Sequence, residues 1–197
     1  MALDRHADVD DALARLSDIH AQVARGAFFR GYRAVPVAAM GVVALVAAGI
    51  ETIVLPRPES VDHALYWLGV AVLCAGIGAV DMWCTRRSLP VRTVSIAVAQ
   101  LVPSLLVGLV LGGLLFDRAE LLPGVWTMVF GLGVLASRPY LPSAVLGVAL
   151  FYVVSGAAMA IAARSGSLAS PWAMGVTYGV GQLAAAAALR RSHEGER

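Results

Sequence analysis

Lysine is absent from this chain of 197 residues, and all 15 of its basic residues are arginine. Retinal and pyridoxal Schiff bases form on a lysine amine, so retinal photoreceptors and pumps are excluded. Charge is also scarce, because 14% of the residues are charged, whereas a soluble domain has about 25%. With 59% hydrophobic residues and a mean hydropathy of +0.76, the chain has too few polar groups to cover a soluble domain. The composition predicts an integral membrane protein.

Catalytic and metal-binding motifs are also missing from the sequence. It contains no H-E-x-x-H, no Cys/His metal spacing, no G-x-S-x-G and no P-loop. Its two cysteines, Cys74 and Cys84, are separated by about 15 Å along one predicted helix, which is too far for a disulfide. Its four histidines lie outside the centres of the apolar segments, which disfavours haem ligation inside the bilayer. We therefore expect no catalytic residue, no cofactor and no metal, and a protein that is not an enzyme.

Six apolar segments have about the length that a membrane crossing needs. They cover residues 35–55, 64–83, 94–116, 121–137, 141–163 and 172–189. The fourth is the shortest, so it should be thin, tilted or partly broken. The connections between segments are short, which makes consecutive helices antiparallel neighbours. The sequence predicts an all-α polytopic integral membrane protein, an up-and-down bundle of six transmembrane helices over residues 34–189.

The distribution of arginine predicts the orientation of this bundle. With the N-terminus in the cytoplasm, only Arg57, Arg118 and Arg164 lie outside and the other twelve arginines lie inside. We expect no cleavable signal peptide, because the first apolar segment starts late and is too long for one. An arginine-only chain rich in alanine, glycine and valine is typical of GC-rich bacterial genomes. The prediction is a bacterial inner-membrane protein with both termini, including residues 190–197, in the cytoplasm.

Residues 1–33 predict a cytoplasmic amphipathic helix followed by an interfacial anchor. Apolar residues recur at spacings of three and four, and acidic residues lie on the other face, which disfavours nucleic acid as a partner. The apolar face of this helix consists of Val9, Leu13, Leu16, His20 and Val23. It packs either on the inner leaflet or the bundle's own loops, or against a second copy or a partner. Aromatic and cationic residues at the membrane interface form the anchor: Phe28, Phe29, Arg30, Tyr32 and Arg33.

Two carboxylates lie inside apolar segments, where an ionisable residue is a candidate functional residue. Glu51 is close to the outer boundary, and we expect it to reach water or Arg57 as an interfacial residue or in a helix-end ion pair. Asp81 is close to the inner end of the second span. There it either pairs with arginine or accepts a proton or cation at the mouth of a cavity.

Four residues form the candidate polar path or ligand pocket: Asp81, Gln100, Tyr178 and Gln182. Gln100 precedes Pro103, which frees a backbone carbonyl and kinks the helix. The alternative for both glutamines is a hydrogen bond between helices. Glycine pairs four residues apart, at 108 and 112 and at 175 and 179, predict close helix packing.

Several short segments resemble a group of uncharacterised bacterial membrane proteins with six transmembrane helices. They are residues 121–126 (LLPGVW), 130–133 (FGLG), 136–138 (ASR) and 178–182 (YGVGQ). In that group a similar segment opens the fourth span, and a histidine stands where this chain has Gln182. The resemblance implies six spans and brings no established activity.

Two functions remain open at this point. The first is a non-enzymatic membrane protein that acts through partners, as a regulatory, sensory or accessory subunit. The alternative is a small transporter or channel component with a polar path at Asp81, Gln100 and Gln182. The expected partners are the lipid bilayer and either a second copy or another membrane protein.

Overall fold

The structure, a computed structural model, describes residues 15, 34–55, 59–85, 91–137, 144–165 and 170–194, and of residues 85, 91–100 and 192–194 only the backbone. Across these residues the chain is helical, with no strand. The six α-helices are α1 (Ala34–Val54), α2 (Ser60–Thr85), α3 (Val91–Leu114), α4 (Leu122–Ala136), α5 (Ala144–Arg164) and α6 (Pro171–Glu194). A short 3-10 helix, Phe116–Leu121, leads into α4. Each α-helix coincides with one predicted apolar segment.

Four helical segments are long and apolar enough to cross a membrane: Ala34–Val54, Ser60–Cys84, Phe116–Ala136 and Ala144–Arg164. Large apolar side chains such as Ile53, Trp83 and Ile161 point outward from them. Continuous apolar surface of this extent is suited to lipid and would promote aggregation in water. The prediction of an α-helical membrane protein is therefore confirmed. The 3-10 helix also supplies the length that the fourth apolar segment lacked in the sequence.

Packing in the bundle follows the order α2–α1–α6–α5–α4–α3. Consecutive helices pack at α1/α2, α3/α4, α4/α5 and α5/α6, as short connections require. The most extensive contact joins the first helix to the last, α1 to α6. The 3-10 helix contacts α2 as well as α3, α4 and α5, and so links the two ends of this series.

Small residues allow two of these helix pairs to approach very closely. We call the two close contacts the α4/α5 seam and the α1/α6 seam. In the α4/α5 seam, a Cβ atom added to Gly156 would lie 2.6 Å from the carbonyl oxygen of Gly124. In the α1/α6 seam, a Cβ atom added to Gly175 would overlap the side chain of Ala48, and one added to Gly41 would lie 3.0 Å from the carbonyl oxygen of Gly179. Backbones this close gain van der Waals contact that larger side chains would prevent.

An aromatic cluster fills the centre of the bundle between α4, α5 and α6. The ring centroids of Phe130, Tyr152 and Tyr178 are 5.1 to 5.6 Å apart. The Tyr152 hydroxyl donates to the carbonyl oxygen of Tyr178 at 3.4 Å. Tyr152 is fully buried because its ring lies against Gly181. This cluster holds the three C-terminal helices together at mid-height.

The predicted amphipathic helix and interfacial anchor fall outside the described residues. This applies to every residue named for the partner-binding face and for the anchor: Val9, Leu13, Leu16, His20, Val23, Phe28, Phe29, Arg30, Tyr32 and Arg33. Both assignments stay predictions.

Candidate functional site

A buried carboxylate, imidazole and indole join α1 to α2 close to the turn between these helices. Nδ1 of His63 lies 2.5 Å from Oε1 of Glu51, and the Trp67 indole N–H donates to Oε2 of Glu51 at 2.8 Å. The exposed fractions are 0% for Glu51, 1% for His63 and 3% for Trp67. Both oxygens of the carboxylate thus have a partner, which is the condition for burying such a group at tolerable cost.

Helical spacing brings these three side chains together. Glu51 lies on the face of α1 that also carries Ala44, Ala47 and Ala48, at the three- and four-residue intervals of one helix face. His63 and Trp67 are four residues apart in α2 and therefore lie one above the other. The backbone N–H of His63 donates to the carbonyl oxygen of Glu59 at 3.0 Å, so α2 is already helical at His63.

The cluster is enclosed on several sides by other elements. Trp67 packs with the alanines of α1 and with Met174 of α6. The Tyr66 hydroxyl donates to the carbonyl oxygen of Ala47 at 2.7 Å, and its ring stands edge-on to that of Trp67. Beside His63, Ala64 packs against Ala119 of the 3-10 helix and Leu122 of α4. The first turns of α2 are therefore fixed from both sides.

The second ring nitrogen of His63 distinguishes this cluster from a simple structural pair. Nε2 is buried and has no hydrogen-bond partner among the described residues. If Glu51 is ionised, Nδ1 must carry the proton that they share, and Nε2 is then either a bare acceptor or, in the imidazolium, an unsatisfied donor. Leaving either one buried costs about 1–3 kcal/mol.

A carboxylate that orients an imidazole through Nδ1 also occurs behind metal-ligating and catalytic histidines. Within the described part of the chain, no group of three or more His, Cys, Asp or Glu residues could hold a metal ion.

Two expectations from the sequence are wrong at this site. Glu51 was expected at the interface, in reach of water or Arg57, but it is completely buried and bound to His63 and Trp67. The second span was expected to start at residue 64, but α2 begins at Ser60 and therefore includes His63, which is buried. One signal in the sequence points to the pair. Glu51 and His63 are equidistant from residue 57, and in an antiparallel hairpin such residues lie at the same depth.

The residues of the predicted polar path lie in different surroundings. Asp81 is half-buried in α2, and the side chain of Gln100 falls outside the described part of α3. Tyr178 belongs to the aromatic cluster. Gln182 is half-buried one turn further along α6, where its Cβ packs on Gly41 of α1. Tyr178 and Gln182 thus share one helix, whereas Asp81 lies on another, and both helices pack against α1.

No protein-family model, curated protein or solved structure matches this chain. The resemblance to a group of six-span proteins accordingly stays a prediction from short segments. The functional argument rests on the packing of the helices and on the buried side chains described above.

Proposed function

We propose that this chain is a non-enzymatic protein with six transmembrane helices that acts through partner proteins, as a regulatory, sensory or accessory subunit. The observation that carries this proposal is the tight closure of two helix seams. In the α1/α6 and α4/α5 seams, even one added methyl group would collide with backbone or with an alanine. Such seams leave no room for a solute, so the proposal favours a role in assembly or signalling over a role in permeation.

Six spans, rather than the four most apolar segments, account best for the whole bundle. Helix α6 is rich in alanine and glycine because it lies between α1 and α5 and needs fewer lipid-facing side chains. The apolar part of α3, Leu101–Leu114, packs on α4 at the edge of the bundle. With both termini in the cytoplasm, the arginine asymmetry follows the positive-inside rule of an inner-membrane protein.

Helix α2 supplies the surface that suits a partner. Beyond its first turns, side chains such as Val72, Ala75 and Val80 are exposed, and the space beside Gly69 and Gly76 is open. Small residues on an uncovered helix permit close approach of another helix. The occupant in this proposal is a transmembrane helix of a different protein.

The test is purification from the native membrane in mild detergent, combined with photo-crosslinking from Ala75 of α2. Val154, an exposed residue of α5, is the control position. We expect a stoichiometric partner in the purified complex that crosslinks from position 75 and not from position 154. A homo-oligomer without other proteins, or equal crosslinking from both positions, would overturn the proposal. Deleting residues 1–26 in the same experiment tests the predicted N-terminal binding face.

The second candidate function is transport, which the buried Glu51–His63 pair favours. Ionisable side chains at membrane depth commonly belong to ion or proton pathways. The discriminating variant is Asp81→Asn in reconstituted vesicles. Loss of proton or ion flux at unchanged thermal stability supports a path through Asp81, Gln100 and Gln182. Reduced stability without any measurable flux in the wild type contradicts it.

A further inference from the structure

A groove of about 580 Å³ opens between α5 and α6, in the half of the bundle that contains the C-terminal end of α6. Its walls are apolar and mostly small, with Ala144, Gly147 and Phe151 on α5 and Ala184 on α6. Among the described residues that line it, Arg191 is the one that carries a charge, and its side chain is exposed. The volume is within the range of sites that hold small molecules.

The groove exists because α5 and α6 pack less extensively than the pairs on either side of them. Small side chains face each other across this half of the α5/α6 contact, and the space beside Gly147 is open. At mid-height the groove ends, because the Tyr152 ring there lies directly against Gly181. The same glycine-rich composition therefore produces a sealed contact at one level and an open groove at the other.

The length of the groove matches one leaflet of a bilayer. From Val180 to Arg191 it follows α6 for about 16 Å, at 1.5 Å per residue. The hydrocarbon core of a bilayer is about 30 Å thick, so one leaflet contributes about half of that. A groove of this length would reach from the headgroup region at Arg191 to about the centre of a bilayer.

We propose that this groove binds one acyl chain of an anionic phospholipid, with the lipid phosphate on the Arg191 guanidinium. The surroundings of the groove are lipid, and its apolar walls offer contact to a chain but no hydrogen bonds. A guanidinium forms charge-assisted hydrogen bonds with phosphate. Basic residues next to grooves between transmembrane helices are typical of anionic lipid sites. The inference depends on the membrane location of the bundle and not on its protein partners.

The two halves of this proposal can be tested separately. Binding of free phosphate would depend on Arg191 but not on the groove. Binding of a zwitterionic lipid would depend on the groove, and the charge of Arg191 would strengthen it less. Arg191→Gln removes the charge, and Arg164→Gln removes an exposed arginine at the opposite end of α5 as its control. Gly147→Leu fills the groove, and Gly113→Leu fills equally open space on α3 as its control. Ala184→Leu is a second filling variant from the other wall.

The experiment is native mass spectrometry of the full chain in non-ionic detergent, titrated with phosphatidylglycerol, with phosphatidylcholine of the same acyl chains, or with inorganic phosphate. We expect one phosphatidylglycerol bound in preference to phosphatidylcholine. Arg191→Gln should weaken phosphatidylglycerol binding about fivefold, as expected for one cation at a lipid surface. Gly147→Leu and Ala184→Leu should weaken the binding of both lipids.

Three results would overturn the proposal. If Arg191→Gln binds phosphatidylglycerol as tightly as Arg164→Gln does, Arg191 does not hold the lipid headgroup. If both filling variants bind lipid as tightly as Gly113→Leu does, the acyl chain does not lie in the groove. Inorganic phosphate could displace phosphatidylglycerol completely, which leaves only a phosphate contact at the surface.

Discussion

The imidazole of His63 and the carboxylate of Glu51 meet at 2.5 Å and fasten the first turn of α2 to the last turn of α1 inside the bundle. Trp67 adds a second hydrogen bond to the same carboxylate, so three side chains depend on one another in a space that excludes solvent. Removing one member of such a set leaves buried polar groups without partners, and the resulting free-energy cost exceeds the value of the lost contact.

Glu51→Ala should therefore be strongly destabilising. The change leaves Nδ1 of His63 and the Trp67 indole N–H without an acceptor, and we expect the free energy of unfolding to fall by about 3–5 kcal/mol. Glu51→Gln retains an oxygen for Trp67 and should cost less. Unfolding in mixed micelles of a mild detergent and sodium dodecyl sulfate measures both changes. Glu59→Gln, at an exposed site, is the control and should stay within about 0.5 kcal/mol of wild type. Equal effects of Glu51→Ala and Glu59→Gln on the free energy of unfolding would show that the cluster does not stabilise the contact between α1 and α2.

The α4/α5 seam predicts that Gly156→Ala is destabilising. The new Cβ would lie 2.6 Å from the Gly124 carbonyl oxygen and 2.7 Å from the Met128 nitrogen, and these backbone atoms cannot turn away. We expect a loss of about 1–3 kcal/mol in the same unfolding assay. Gly147→Ala in the same helix meets nothing within 4 Å and should be neutral or stabilising by up to about 1 kcal/mol. If both substitutions behave alike, the seam is not closely packed.

The α1/α6 seam permits a rescue experiment. Gly175→Ala places a methyl group against Ala48, whose side chain is itself a single methyl that cannot rotate aside. The variant should lose about 1–3 kcal/mol of stability. Ala48→Gly in the Gly175→Ala background should restore much of this loss, because the two methyl groups no longer compete for one space. Gly49→Ala, with open space around it, is the control for a general effect of alanine. A double variant as unstable as the single one would contradict the contact.

Trp126 connects α4 to α3 through one hydrogen bond. Its indole N–H donates to the Gly108 carbonyl oxygen at 3.0 Å, and its ring covers Gly112. Trp126→Phe should reduce the free energy of unfolding by about 1 kcal/mol, the usual value of one such bond. Trp83→Phe changes an exposed indole and should have little effect. A measured difference below about 0.3 kcal/mol between the two variants would mean that the bond contributes nothing.

Much of the secondary structure could be read from the sequence, because in a membrane the backbone must satisfy its own hydrogen bonds. A run of about 20 apolar residues therefore forms a helix, which satisfies these hydrogen bonds within the segment. The predicted segments and the six helices consequently agree to within a few residues at most ends. The start of α2 differs by four residues, because the helix continues through Asp62, which stays exposed, and through His63, which neighbouring elements bury.

The candidate site was harder to predict, for a reason that Glu51 makes clear. Hydropathy assigns a carboxylate near the end of a span to the interface, since water is its cheapest partner. Whether a better partner is available depends on a residue twelve positions away in another helix. His63 and Trp67 reach Glu51 only because α1 and α2 pack at one particular rotation.

The sequence by itself determined that this protein is helical and lies in a membrane, because composition and run length alone decide these properties. The tertiary structure decided which helices touch. Which small residues face each other decides three features: the pairing of α1 with α6, the closure of the seams at Gly156 and Gly175, and the groove that has Arg191 at its mouth. In a chain so rich in glycine and alanine many helix faces could pack, and only three-dimensional fit selects among them.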